Sequence, residues 1–260
     1  TATDSVFVSL VNAQIVNNDT TICSGSSLIL NVNTTNTSSP TSVTDIDGIN
    51  YPAVNIGNQS WLQKNLSVSH YRNGDVIPQV TDPTQWTNTR TGAWSWYNND
   101  STNYAHLGKL YNWYAVNDPR GIAPIGWHIP QKSEWLKLID TTLGGFAIAG
   151  GKMKNTTGWN TPNVGATNSS GFTAIASGYR FSGGTHLGLG IDAYWWGDTN
   201  DTTKFGLYYG AESVSMNSYD KNWGFAARCV KDQIISYLWS TGDTTATINV
   251  TPTQTTTYYC

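Results

Sequence analysis

Gly126-Trp-His-Ile-Pro130, followed by Gln131-Lys-Ser-Glu-Trp135, is the stretch on which the reading of the chain turns. Proline has no amide hydrogen and a helix-ready φ, so Pro130 opens a helix. Trp135, Leu138 and Ile139 then share one face, and Gly144-Gly145 supplies the stop. The spacing predicts a helix over residues 131–142. Upstream, Leu107, Leu110, Tyr111 and Tyr114 recur at helical spacing until Asp118-Pro119, which predicts a second helix. Downstream, runs at 172–176, 193–196, 205–209, 213–216 and 225–230 are broken by Gly and Asn and read as short strands. The middle of the chain is expected to be an α+β module with two helices.

The ends read as pure β. Val6, Val8 and Leu10 alternate with Phe7 on the opposite face, and the strand extends towards Ile15 and Val16. Leu28, Leu30 and Val32 mark a second strand before the polar, proline-containing stretch 33–44, which reads as a boundary. At the far end, residues 237–240, 246–250 and 255–260 are strand candidates separated by Thr241-Gly-Asp243 and Thr251-Pro252.

Composition narrows the function classes. Only 12% of the 260 residues are charged and the formal net charge is −3, so the chain offers nothing to neutralise a phosphate backbone or hold an anionic membrane. Nucleic acid is excluded as a partner on this ground. No apolar run reaches the roughly 18 residues of a spanning helix, and the N-terminus lacks a signal pattern, so a soluble, processed chain is expected. Thr-, Ser-, Asn- and Gly-rich surfaces suit an extracellular or cell-surface location. Twelve Trp and fourteen Tyr against six Phe favour rings that carry a polar handle, as binding surfaces do, although core filling accounts for most single tryptophans.

The segments Val43-Thr-Asp-Ile-Asp-Gly48, Ile56-Gly-Asn-Gln-Ser-Trp61, Trp96-Tyr-Asn-Asn-Asp100, Leu110-Tyr-Asn-Trp-Tyr-Ala-Val116, Gly126-Trp-His-Ile-Pro130 with Glu134-Trp135, Ala149-Gly-Gly-Lys152 and Gly224-Phe-Ala-Ala-Arg-Cys-Val-Lys-Asp232 occur in a fixed order. Together they resemble the Fibrobacter succinogenes major paralogous domain over residues 43–232. The resemblance implies a C-type-lectin-like fold related to formylglycine-generating enzymes, in modules of secreted surface proteins. The flanks, Ile22-Cys-Ser-Gly-Ser-Ser-Leu28 and residues 237–252, resemble two halves of the Ig-like repeats of large Bacteroidota surface proteins. The implied plan has the module inserted in an all-β Ig-like sandwich: residues 17–42 and 233–260 form the two halves, and residues 1–16 carry an N-terminal closing strand.

Three cysteines allow one bridge. The Ig-like resemblance brings Cys23 and Cys260 into one sandwich, which implies their pairing. In the resembling module a cysteine normally precedes the Pro-x-Gly-Trp-His segment, but Ala123 stands before Pro124 here, so Cys229 is expected as a buried free thiol. Formylglycine chemistry needs two reactive cysteines, and residues 43–232 hold one, so no enzyme is expected. His70, His106, His128 and His186 are scattered without metal spacing. Gly188-Leu-Gly-Ile-Asp-Ala193 imitates a dinucleotide motif without a βαβ context and reads as a loop.

No cofactor is expected, with calcium as the one candidate, because the lectin-like resemblance brings it and Asp45, Asp47, Asp198, Asn200 and Asp201 offer hard oxygen ligands. Turn geometry explains the same residues. A sugar platform would use Trp94, Trp96, Tyr97, Trp195 and Trp196 beside Asp198. Adjacent Trp195 and Trp196 in a strand face opposite ways, so one of them is expected outside the core. Ser5, Thr20, Thr141, Thr202 and Thr244 fit an Asp-Ser/Thr-Val/Thr pattern resembling Bacteroidota O-glycosylation signals.

Reading Tyr258-Tyr-Cys260 into Thr1-Ala-Thr-Asp-Ser-Val6 restores a strand order natural to the Ig-like repeats. Val6, Val8 and Leu10 are therefore expected to pair with the Tyr258-bearing edge of another copy, giving a head-to-tail filament or array by strand complementation. A monomeric glycan-binding adhesin is the alternative, with surface glycans as partners.

Overall fold

A computed structural model describes residues 41–197 and 201–232 and, in the flanks, residues 2–3, 13–15, 21–22, 27–34, 239, 241, 243, 245 and 247–251. The chain divides into two compact units, one of residues 1–39 with 233–260 and one of residues 40–232.

In the first unit β1 (Ala2–Thr3) pairs antiparallel with β3 (Thr21–Ile22). β4 (Leu28–Thr34) takes β2 (Ala13–Ile15) on one side and Thr247–Val250 on the other, in the register Val250↔Leu28 to Thr247↔Asn31. Strands from opposite ends of the chain thus form one three-stranded sheet. Ile248 and Val250 alternate with exposed neighbours, and Trp239 is buried with its indole N–H donating to the Thr245 carbonyl.

The second unit holds two curled five-stranded sheets. The first has the order β10-β16-β7-β6-β5, from β5 (Ser42–Thr44), β6 (Asn50–Ile56), β7 (Gln59–Leu62), β10 (Trp127–His128) and β16 (Val230–Lys231). The β6–β7 hairpin turns on Gly57-Asn58, and Gly57 has the positive φ of 62° that such a two-residue turn requires. The second sheet has the order β12-β11-β13-β14-β15, from β11 (Ser177–Arg180), β12 (His186–Leu189), β13 (Asp192–Trp196), β14 (Thr203–Tyr208) and β15 (Val214–Ser218). A short ribbon of β8 (Trp94–Ser95) and β9 (Leu110–Tyr111) falls between β7 and β10 in sequence.

Among the described residues strand holds 30% and helix 18%, so the fold is mostly β, and neither a C-type-lectin fold nor an Ig sandwich is shown there. This corrects the expected α+β lectin-like module in an Ig-like sandwich. The helix expected through Leu107, Leu110, Tyr111 and Tyr114 is absent as such. Leu107 ends a 3-10 turn, Leu110 and Tyr111 are strand, and Tyr114 belongs to a four-residue helix, Trp113–Val116. The break is Gly108 at φ 82°, where a Cβ would stand 2.6 Å from Asn65 Cβ. The helix expected over 131–142 does form, as Lys132–Leu136 continued by a wider turn over Lys137–Thr142, and Gly144 and Gly145 end it at positive φ. Residues 172–176 and most of 225–230 run as irregular chain with isolated bridges such as Lys154↔Ala174 and Tyr111↔Phe225.

Two apolar cores result. Leu62, Val68, Tyr111, Trp127, Trp196, Phe225 and Cys229 belong to one, and Trp61, Trp135, Phe172, Trp195, Phe205 and Val230 to the other. Each fully buried aromatic or large aliphatic chain contributes about 1.5–3 kcal/mol. Irregular segments leave carbonyls without ladder partners, and buried cations meet them. The Arg228 guanidinium donates to the Leu62 and Phe172 carbonyls, both at 2.7 Å, and to Asn65 Oδ1 at 2.9 Å. Lys154 Nζ donates to the carbonyls of Val164, Tyr208 and Ala211, and Arg180 to those of Val80, Thr81 and Gly184.

Candidate functional site

Strand register gathers a face that no local stretch of sequence contains. Asp192 lies opposite Tyr208, Tyr194 opposite Gly206 and Trp196 opposite Lys204, and across the next pair Gly206 faces Ser215 and Lys204 faces Asn217. Directly paired residues share a sheet face. Ala193, Trp195, Phe205 and Leu207 point the other way into the second core, as the period of two demands. On the first side, Trp196 packs on Phe225, with ring centroids 4.7 Å apart, and closes one end of the face. Towards the other end the rings become partly exposed.

Tyr179, Tyr194, Tyr219 and Trp223 are half-buried there, and Phe181 is 41% exposed. Tyr179 stacks on Trp223 at 5.4 Å and 25°, Tyr219 meets Trp223 at 4.5 Å, and Phe181 meets it edge-on at 4.9 Å. Tyr194 lies 5.3 Å from Tyr179 and donates its hydroxyl to Asp192 Oδ1 at 3.0 Å. Beneath these rings is Lys204, 2% exposed, its Nζ 3.3 Å from the Tyr194 centroid and 5.0 Å from that of Tyr219. Burial pushes the amine down to about 7, a shift that the Asp192 charge partly offsets. Burial likewise holds Asp192 above the ordinary carboxyl range, against the opposing Tyr194 hydrogen bond and Lys204 charge.

The sugar platform expected from sequence is not assembled. Trp195 and Trp196 do face opposite ways, yet each face of β13 is covered and both indoles are 0% exposed. Their N–H groups donate to Asn65 Oδ1 and to the Tyr111 carbonyl. Trp94 is buried, with its indole N–H on the Ile77 carbonyl. Trp96 and Tyr97 are half-buried, Trp96 edge-on to Trp94 and Tyr97 against Tyr104 and His186. Tyr179, Phe181, Tyr194, Lys204, Tyr219 and Trp223 were missed because only long-range register brings them together. The available signals were Lys204 and Gly206 inside the apolar run of β14, where a strand glycine marks a close approach.

Among the calcium candidates, Asp45 is spent on a turn: Oδ1 accepts from the Asp47 and Ile49 amides, and Oδ2 from the Tyr51 hydroxyl. Asp47 accepts from the Ser69 amide and pairs with His70 at 2.6 Å. Asp201 Oδ1 accepts from the Thr203 amide, and Asp198 and Asn200 lie outside the described residues. Among the described residues no group of three or more His, Cys, Asp or Glu side chains is arranged to hold a metal ion. Of the modification candidates, Thr141 is exposed and Thr202 half-buried, while Ser5, Thr20 and Thr244 lie outside the described residues, as do Val6, Val8, Leu10, Tyr258, Cys23 and Cys260. Cys229 is a buried free thiol.

A second polar cluster surrounds His128. Its Nε2 meets Glu134 Oε2 at 2.8 Å and its Nδ1 meets Asp232 Oδ1 at 2.5 Å, while Glu134 also accepts from the Gln131 amide at the helix start. Burial disfavours the charged ring, but the bonds and charges of the two carboxylates outweigh it and raise the imidazole above its ordinary value. His128 borders a cleft of about 460 Å³ with Arg72, Asn117 and Asp118. Arg72 donates to the carbonyls of Ala123, Pro124 and Trp127. Both sets of contacts tie separate segments of the chain together.

Residues 54–231 match the model of the Fibrobacter succinogenes major domain family, and the chain belongs to that family. No curated protein and no solved structure matches the chain.

Proposed function

We propose that this chain is a non-enzymatic, adhesive component of an extracellular surface, and that its family module binds saccharide through the face of Tyr179, Phe181, Tyr194, Tyr219 and Trp223. The observation that supports this reading is the partly exposed ring cluster itself. Such rings offer flat apolar area at small entropic cost, and the neighbouring Asn217 and Ser215 offer polar groups for hydroxyls. A saccharide array probed with the intact chain and with Trp223→Ala tests it. Intact protein should bind a defined subset of sugars, and the variant, once shown to be folded, should lose at least about tenfold of that affinity, in line with the roughly 1.4 kcal/mol that a tenfold change represents. Binding to no sugar, or equal binding by the folded variant, would remove this reading.

One observation favours a further structural role. β2 contributes three ladder positions at the side of β4, Ala13↔Thr34, Gln14↔Asn33 and Ile15↔Val32. So short a pairing is exchangeable with the equivalent segment of another copy, which is what head-to-tail strand complementation needs. A truncated chain starting at Asn17, which lacks β2, should then stay monomeric in sedimentation where the intact chain assembles. Equal assembly of the two would exclude the strand-exchange reading.

A further inference from the structure

We propose that the saccharide-binding face continues into the open cleft beside it, and that this cleft takes the carboxylate of an acidic sugar on Arg90 and Lys221. This rests on the saccharide-binding reading of the rings and names the ligand class within it.

The cleft, of about 330 Å³, is lined by Thr87, Arg90, Tyr114, Ser182 and the run Asp220-Lys-Asn222. Ser182 follows Phe181 in the chain, and Asp220 to Asn222 lie between Tyr219 and Trp223, so the segments that supply the partly exposed rings also supply the cleft. Its walls are tied to one another. Asn222 Nδ2 donates to the carbonyls of Trp86, Thr87 and Thr89, the Trp86 indole N–H donates to the Asn222 carbonyl at 2.6 Å, and the Thr87 hydroxyl donates to the Ser182 carbonyl. The cavity is therefore preformed, as small-molecule sites usually are.

Both cations of the cleft are exposed, which gives a ligand access to them. Arg90 is anchored through one nitrogen, since Nη1 donates to the Thr87 and Thr89 carbonyls, each at 2.9 Å. Nε and Nη2 donate to nothing among the described residues, and together they present the planar pair of donors that matches the two oxygens of a carboxylate. Lys221 Nζ stands 4.1 Å from the Trp113 ring centroid and 5.9 Å from that of Tyr114, with no acceptor in reach among the described residues. Asp220 pairs with neither cation. Two cations against one carboxylate leave the cleft positive on a chain of formal net charge −3, so an acidic ligand is drawn there rather than to the surface at large.

The remaining groups select a sugar as the carrier of that acid. The three carbonyls that hold Asn222 Nδ2 fix its amide, and its Oδ1 accepts from no donor among the described residues. Asn222 Oδ1 and the Asp220 carboxylate are acceptors suited to hydroxyls, and the neighbouring Trp223 and Phe181 rings suit the C–H face of a pyranose. An acidic peptide would engage the cations and leave these acceptors unused.

Calorimetric titration of the intact chain with trigalacturonic acid, with its fully methyl-esterified form and with hexaglutamate separates the outcomes. The acid should bind at least about tenfold tighter than the neutral ester, the scale of one charge-assisted pair, and hexaglutamate should bind no better than the ester. Arg90→Gln and Lys221→Gln, each shown to be folded, should abolish most of that difference, while Lys64→Gln, which removes a charge elsewhere on the surface, should keep it. As a measurement free of any variant, the Arg90 Nε–H resonance should shift with the acid and stay in place with the ester. Equal affinity for acid and ester, a preference that survives in both cleft variants, or an unmoved Arg90 resonance would overturn the carboxylate assignment and leave saccharide binding standing. Hexaglutamate binding as tightly as the acid would overturn the sugar-acid class. Binding of neither form by a chain that binds other sugars on the array would likewise overturn the acidic class alone, and a chain that binds no sugar in either experiment would overturn both readings.

Discussion

A methyl group on Gly206 would stand 2.3 Å from Tyr194 Cδ1 and 2.4 Å from Cε1, so the tyrosine ring rests on the bare backbone of the neighbouring strand. Gly206→Ala should displace that ring and cost about 1–3 kcal/mol, the usual range for overpacking. Urea unfolding measures the loss, and a variant as stable as the parent would show that the contact gives way freely.

Arg228 is the most heavily bonded cation of the interior, with Leu62, Phe172 and Asn65 as acceptors and the Phe172 ring 4.4 Å away. Arg228→Met fills part of the volume but leaves those acceptors unmet, at about 1–3 kcal/mol each. A destabilisation of roughly 3 kcal/mol or more is expected by chemical denaturation. A loss below about 1 kcal/mol would mean that water or a backbone shift replaces the guanidinium.

The raised imidazole of His128 gives a pH dependence of definite sign. Its folded-state value lies above the unfolded one of about 6.5, so its contribution is fully present below that pH and is lost as pH rises through the folded value. Melting temperatures followed upward from pH 6 should fall more steeply for the parent than for His128→Gln. Parallel curves would show that the Glu134 and Asp232 contacts do not couple to folding.

Cys229 is 0% exposed, and burial pushes its thiol far above the ordinary value. Since the thiolate is the reactive species, iodoacetamide should leave Cys229 unmodified in the folded chain and label it in denaturant. Rapid labelling without denaturant would reveal local opening at the Ala226-Ala-Arg-Cys-Val230 segment.

What could be read from the sequence depended on how local the cause was. The segment 131–142 was legible because Pro130, the Trp135–Leu138–Ile139 face and Gly144-Gly145 all act within a few turns. The strand carrying Trp195 and Trp196 was legible for the same reason, down to the opposite facing of the two rings. Their burial was not, because it depends on Phe225 and Phe172 arriving from distant segments to cover both faces. The false helix at 107–114 came from weighing apolar spacing above Gly108, which has a positive φ and leaves no room for a Cβ beside Asn65. The aromatic face was hidden most deeply, since Tyr179, Tyr194 and Tyr219 come together only through the pairing of β11, β13, β14 and β15.

The cations that cap carbonyls have a consequence for where the module can fold. Arg228 ties residues 62, 65 and 172 together, Arg180 ties 80, 81 and 184, and Lys154 ties 164, 208 and 211. Secreted domains with long irregular stretches often fasten them with disulfides, which form only where an oxidant is present. Residues 40–232 contain one cysteine, already enclosed, so their cross-links are made of charge and hydrogen bonds alone. The module's folding is therefore indifferent to redox compartment, and dithiothreitol should leave its unfolding transition where it was.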